Sequence, residues 1–121
     1  MEVRLAPPHS IIFICDPTTG PTGIPSNMGA GLASATDSCV AVGTLAEMDG
    51  ETTIRLSDDF TDPQGDVVFE GMIKAPSGIV AISTSGREQL ASIRVSQNAH
   101  ITVWANDASE PDLILVRARS A

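Results

Sequence analysis

The chain has 121 residues, enough for one domain with a single continuous core. Three Phe, one Trp and no Tyr leave that core to Val, Ile, Leu and Ala, branched or small residues that suit pleated surfaces. Fifteen Asp and Glu against seven Lys and Arg give a formal charge of −8, which argues against nucleic acid and anionic membrane surfaces and favours a basic partner.

The N-terminal Met1-Glu-Val-Arg-Leu lacks a basic leader region, and the nearby apolar run Ile11 to Cys15 is too short for a signal core or a membrane span. A cytoplasmic protein with reduced thiols is therefore expected. Cys15 and Cys39 lie inside apolar runs and do not make a metal site by themselves. A Cys15–Cys39 disulfide is the alternative, because the Asp-bounded segment between them would bring the flanking strands back together.

Strand-like segments recur at roughly 2–6, 10–15, 38–47, 52–57, 66–74, 79–84, 90–96, 100–106 and 112–119, with turn residues between them and no sustained helical period. Between the second and third lies an uncharged segment, Pro17 to Thr36, rich in Gly, Pro, Ser and Thr. It has no Lys or Arg and no phosphate-binding glycine pattern, so it is expected to be a long loop joining two sheets or the lip of a partner site. Asp49-Gly50 predicts a type I′ hairpin that pairs Leu45 with Ile54 and Gly43 with Leu56, which places Cys39 in the core. Ala75-Pro76-Ser77-Gly78 predicts a type I turn and a second hairpin, from Val67–Ile73 into Ile79–Ile82. The latter strand is apolar on both faces and is expected to be covered on both. The last strand ends in Arg117 and Arg119, which are expected to leave the sheet for solvent. Eight to nine short antiparallel strands with little or no helix predict an all-β, two-layer antiparallel sandwich spanning 1–121, with a closed barrel as runner-up.

The segment His100-Ile-Thr-Val-Trp-Ala-Asn106 alternates strictly, so Ile101, Val103 and Ala105 face one way and His100, Thr102, Trp104 and Asn106 the other. The only tryptophan thus sits on a polar face. There it is either the anchor of a contact surface or a packing residue beneath the 17–36 loop. Acidic residues cluster in two turns, which would form one acidic patch if they lay at the same end of the sandwich. Asp58, Asp59, Asp62 and Asp66 could in principle offer oxygens to a hard cation, but their spacing does not match a calcium loop and Pro63 interrupts them, so a solvated loop is expected. Asp107, Glu110 and Asp112 surround Pro111 in a turn between strands. The partner-binding residues expected from this reading are Trp104, His100, Asn106, Asp107, Glu110, Asp58, Asp59 and Asp62.

Reaction chemistry finds little to work with. His9 and His100 are the only histidines, no nucleophile-elbow motif is present, and Cys15 lacks an electropositive setting. No catalytic residue, metal or cofactor is assigned, and the chain is not read as an enzyme.

The order of features nevertheless has a counterpart. An N-terminal strand pair is followed by a Gly/Ala-rich entry into Asp37-Ser-Cys-Val-Ala-Val42, then Thr53-Ile-Arg-Leu56 and a paired Val67-to-Ile82 unit. Ile93-Arg-Val95 and Ile101-Thr-Val-Trp104 come next, with an acidic final turn. This order resembles the ComJ family of small bacterial competence-associated nuclease inhibitors. The resemblance implies a β-sandwich that acts as an acidic, noncovalent protein inhibitor without a cofactor. It carries over no site residues.

Two functions follow. The first is a protein-binding module, an inhibitor or immunity-like protein for a basic partner such as a nuclease or toxin, with no nucleic acid or membrane bound. The second is a homo-oligomeric structural protein in which Trp104 packs across a subunit interface.

Overall fold

A computed structural model describes residues 1–18, 32–86 and 88–121. They form ten strands in two five-stranded sheets. In chain order the strands are β1 (Glu2–Leu5), β2 (Ile11–Cys15), β3 (Ala33–Ala35), β4 (Cys39–Gly43), β5 (Thr52–Ser57), β6 (Asp66–Lys74), β7 (Ile79–Thr84), β8 (Gln89–Arg94), β9 (Asn98–Ala105) and β10 (Leu113–Ser120). One sheet runs β1-β5-β10-β9-β6 and the other β3-β4-β2-β7-β8. Pairing is antiparallel except between β5 and β10.

Alternation explains the core directly. Ile12 and Ile14, Val40 and Val42, and Val80 and Ile82 project from one sheet onto Ile54, Leu56, Ile101, Val103, Ile114 and Val116 of the other, all essentially inaccessible. β-Branched side chains with one dominant rotamer fill this layer, so few aromatics are needed. The sheet around β2 is buried on its outer face as well, where Phe13, Cys15, Cys39 and Ala41 pack together.

The structure differs from the expectations at several points. Asp49-Gly50 makes no hairpin: Glu47–Asp49 is a single 3-10 turn, Gly50 has φ 138°, and β4 and β5 belong to different sheets. The strand is apolar on both faces, so composition does not specify which face turns inward. Cys39 is buried in a hydrophobic cluster as expected, but that cluster is the outer one with Ala41, while Val40 and Val42 face the inter-sheet core with Ile54 and Leu56. At the second turn, Gly78 N–H does donate to Ala75 C=O at 2.8 Å, but β6 and β7 lie in different sheets, so this turn is a corner between layers. Arg117 and Arg119 stay within β10 and do not leave the sheet. The 17–36 segment also contributes a short strand, β3; its residues 19–31 lie outside the described residues.

The corner is pinned by Asp16, immediately beyond β2. Its carboxylate is fully buried and accepts the Thr18 N–H and hydroxyl at 2.7 Å each and the Ser77 N–H at 2.6 Å. Burial pushes this carboxyl up, but the hydrogen bonds from Thr18 and Ser77 outweigh it and hold the group below its ordinary value.

Candidate functional site

The connection between β5 and β6 decides what the outer face of the β1-β5-β10-β9-β6 sheet looks like. β5 runs parallel to β10, β10 antiparallel to β9, and β9 antiparallel to β6, so β5 and β6 point the same way with two strands between them. Residues 58–65 must therefore travel back across that face, from Ser57 beside Arg117 to Asp66 beside Ala105. Gly65 makes the close pass at the end of this crossing. Its φ is +89°, and a Cβ there would lie 2.4 Å from the Ala105 carbonyl oxygen.

The crossing lays Phe60 against Trp104, edge to face, with ring centroids 6.0 Å apart and planes at 78°. From the neighbouring strand the Arg117 guanidinium lies 5.4 Å from the indole centroid and donates from Nη2 to the Thr102 hydroxyl at 3.1 Å. Arg117 Nε is buried with no hydrogen-bond partner among the described residues, and the indole ring is what faces this cation. Trp104 does point away from the inter-sheet core, as its alternation predicts, but it is only 9% exposed. Among the described residues, Phe60 and Arg117 form its ring contacts.

The residues expected at a partner site separate into two groups. Asp58 and Asp59 are tied to Arg119, whose Nε donates to the Asp58 carbonyl at 2.8 Å and whose Nη2 meets Asp59 Oδ1 at 2.7 Å. His100 lies opposite Arg119 and places Nε2 3.5 Å from Glu70 Oε2. Asp62 is exposed on the crossing itself. Asn106, Asp107 and Glu110 sit at the other end of the strands, beyond Leu113. Leu113 and Arg119 are six residue steps apart along β10, a distance of about 20 Å at the strand rise.

Around Asp107 the turn is well ordered by its own hydrogen bonds. Asp107 Oδ1 accepts the Glu110 and Ser109 N–H groups at 2.9 Å each and the Ser109 hydroxyl at 3.1 Å, and these bonds, led by that from Glu110, hold its carboxyl below the ordinary value. Asn106 donates to Asp112 Oδ1 at 2.6 Å and accepts the Leu113 N–H at 3.2 Å.

At this end the fold adds carboxylates that linear spacing did not associate with the turn. Pro111 C=O accepts the Leu45 N–H at 2.9 Å, and Asp112 C=O accepts the Thr53 N–H at 2.8 Å. These bonds bring the 46–51 connection, with exposed Glu47, Asp49 and Glu51, beside exposed Asp107, Glu110 and Asp112. Asp66 joins them through its pairing with Ala105. Between Glu47 and Asp49 stands Met48, 94% exposed. Arg4 reaches Glu51 at 3.5 Å across exposed surface, a contact too solvated to neutralise the end as a whole. In the sequence this grouping shows only as the acidic residues Glu47, Asp49 and Glu51 around Gly50.

Other chemistry is sparse. Among the described residues no three His, Cys, Asp or Glu are grouped to hold a metal ion, and no helix is long and apolar enough to cross a membrane. His9 Nδ1 lies 3.3 Å from the Ser85 hydroxyl, away from His100.

Neither a family model nor a curated protein sequence matches the chain. A solved structure does match: ComJ from Bacillus subtilis, described as an inhibitor of the DNA degrading activity of NucA, aligns with a TM-score of 0.69 over 100% of this chain and 96% of that one. The chain has the ComJ fold. Identity between the two is 12%, so the correspondence lies in strand order and layer geometry. The resemblance drawn from strand pattern therefore holds at the level of fold.

Proposed function

We propose that this protein binds another protein and inhibits it without covalent chemistry, and that the partner is a nuclease with a basic nucleic-acid cleft. The full-length likeness to the ComJ fold carries the proposal, since the protein of that structure is an inhibitor of a DNA-degrading activity. The acidic end supplies a physical rationale. Exposed carboxylates on the 46–51 and 106–112 turns present negative charge where a nuclease cleft expects phosphate, and they would accelerate encounter with a basic surface. Met48 projects from their midst and offers an adaptable apolar contact. In this reading Asn106, Asp107 and Glu110 belong to the contact surface, while Asp58, Asp59, Asp62 and His100 border it along the sheet face. Trp104 acts from beneath Phe60, fixing the crossing that carries those aspartates.

A homo-oligomeric structural role built on Trp104 has less support, because the indole is already covered within one chain. Size-exclusion chromatography of Trp104→Ala addresses it: a change in assembly size supports the oligomer, and an unchanged monomer supports the inhibitor. The inhibitor reading is tested by DNA-cleavage assays with a partner nuclease from the same host. Inhibition at stoichiometric protein, relieved by neutralising the acidic end, is expected; undiminished cleavage would overturn it.

A further inference from the structure

Cys15 and Cys39 lie directly opposite one another on the antiparallel strands β2 and β4. The Thr44 N–H donates to the Ser10 carbonyl at 2.9 Å, which makes Ser10 and Thr44 a hydrogen-bonded pair in the same register. Hydrogen-bonded and non-hydrogen-bonded pairs alternate along such a ladder, so five residues further on Cys15 and Cys39 form a non-hydrogen-bonded pair. The Cα atoms of such a pair stand about 4.5 Å apart with their side chains close together, within the roughly 4.4–6.8 Å that a disulfide spans. Both thiols also lie on the same outer face, against Phe13 and Ala41.

We propose that Cys15 and Cys39 form a redox-active dithiol that closes to a cross-strand disulfide by exchange with a small-molecule disulfide of the glutathione class.

The two sulfurs differ in the ways such an exchange needs. Cys15 retains 7% exposure and Cys39 none, so the external disulfide meets Cys15 first. Hydrogen bonding by the Cys39 thiol holds Cys15 below its ordinary value, against burial and the charge of Asp16, while the same interaction and burial push Cys39 up. The Cys15 thiolate attacks one sulfur of the small disulfide, forming a mixed disulfide and releasing one small thiolate. Cys39 then loses its proton and attacks the Cys15 sulfur, releasing the second. Two protein thiols are oxidised to one S–S bond and the small disulfide is reduced to two thiols, which take up the two protons. The bond closes a ring through residues 16–38, the stretch containing the uncharged Gly/Pro-rich segment. This inference stands apart from the inhibitor reading, and either can fail without the other.

The test equilibrates the intact, folded protein with defined ratios of reduced and oxidised glutathione at neutral pH, followed by acid quench, denaturation, alkylation and intact-mass analysis. Both alkylation sites should disappear together, leaving a monomer lighter by two hydrogens that a reducing thiol restores, with the circular dichroism of the fold retained. Cys39→Ala should stop at a single glutathione adduct on Cys15, and Cys15→Ala should remain unmodified. Persistence of both alkylation sites in excess oxidised glutathione, accumulation of singly modified wild-type protein, or closure only where denaturant has unfolded the chain would each overturn the proposal.

Discussion

Removing Phe60 should uncover the tryptophan beneath it. Phe60 is half-buried and meets Trp104 at a centroid distance of 6.0 Å, so Phe60→Ala loses an aromatic pair together with part of a buried ring. The pair contributes about 0.5–1.5 kcal/mol beyond its area. Truncating a fully buried Phe costs roughly 3–5 kcal/mol in all, so about half that, near 2 kcal/mol, is expected for a half-buried one. For a domain of this length the thermal midpoint should fall by roughly 6–10 °C. The assay is unusually direct, because Trp104 is the only tryptophan and the chain has no tyrosine. Emission of Phe60→Ala should move to longer wavelength, and acrylamide should quench it more efficiently than in the wild type. Wild-type Trp104 already as quenchable as free indole, or quenching unchanged in the variant, would refute the covering of Trp104 by the β5–β6 crossing.

Three further outcomes follow from the same geometry. Asp16→Asn replaces an acceptor of the Ser77 N–H with an amide or forces a rotation that loses the Thr18 bonds, and should cost about 1–3 kcal/mol in denaturant titrations at neutral pH. Because the folded Asp16 carboxyl lies below its unfolded value, its contribution is whole above about pH 4 and is lost as pH falls through the folded value. The acid limb of the Asp16→Asn stability profile should be correspondingly flatter, and identical limbs would contradict the assignment. Gly65→Ala places a Cβ against the Ala105 carbonyl at positive φ and should destabilise by roughly 1–3 kcal/mol or more, visible as a lowered midpoint with an unchanged denaturant m-value. The triple change Glu47→Gln, Asp49→Asn and Glu110→Gln should slow association with a basic partner on the order of tenfold or more at low salt, measured by stopped flow. Its thermal midpoint should stay close to the wild type, since all three residues are exposed.

Most strands are legible in the residues because burial in a two-layer sandwich imposes a period of two. Ile101 and Val103 against Thr102 and Trp104 is such a case, with the first two in the inter-sheet core and the indole on the outer face. Strand partners are not legible in the same way. Asp49-Gly50 and Pro76–Gly78 mark places where the chain reverses, but a reversal can lead to a neighbour in the same sheet or across a corner to the other layer. Both go across. The β4 segment Cys39-Val-Ala-Val42 has no polar face to set its orientation, so the burial of Cys39 is legible while the inward place of Val40 and Val42 is not. The acidic end was only half visible for the same reason. Asp107 and Glu110 are neighbours in sequence, whereas Glu47, Asp49 and Glu51 reach them through hydrogen bonds to Pro111 and Asp112. Nor does any local pattern reveal that Phe60 lies on Trp104, since that contact depends on two strands being inserted between β5 and β6.

The inhibitor account is tested most directly by capturing partners on the immobilised wild-type protein from host extract at low salt and assaying DNA degradation by the captured fraction, bound and after release. The expected capture is a basic nuclease that is silent in the complex, active once released by high salt, and poorly retained by the Glu47→Gln, Asp49→Asn and Glu110→Gln variant. A captured fraction that degrades DNA equally well bound and free, or retention indifferent to both salt and the three substitutions, would contradict it.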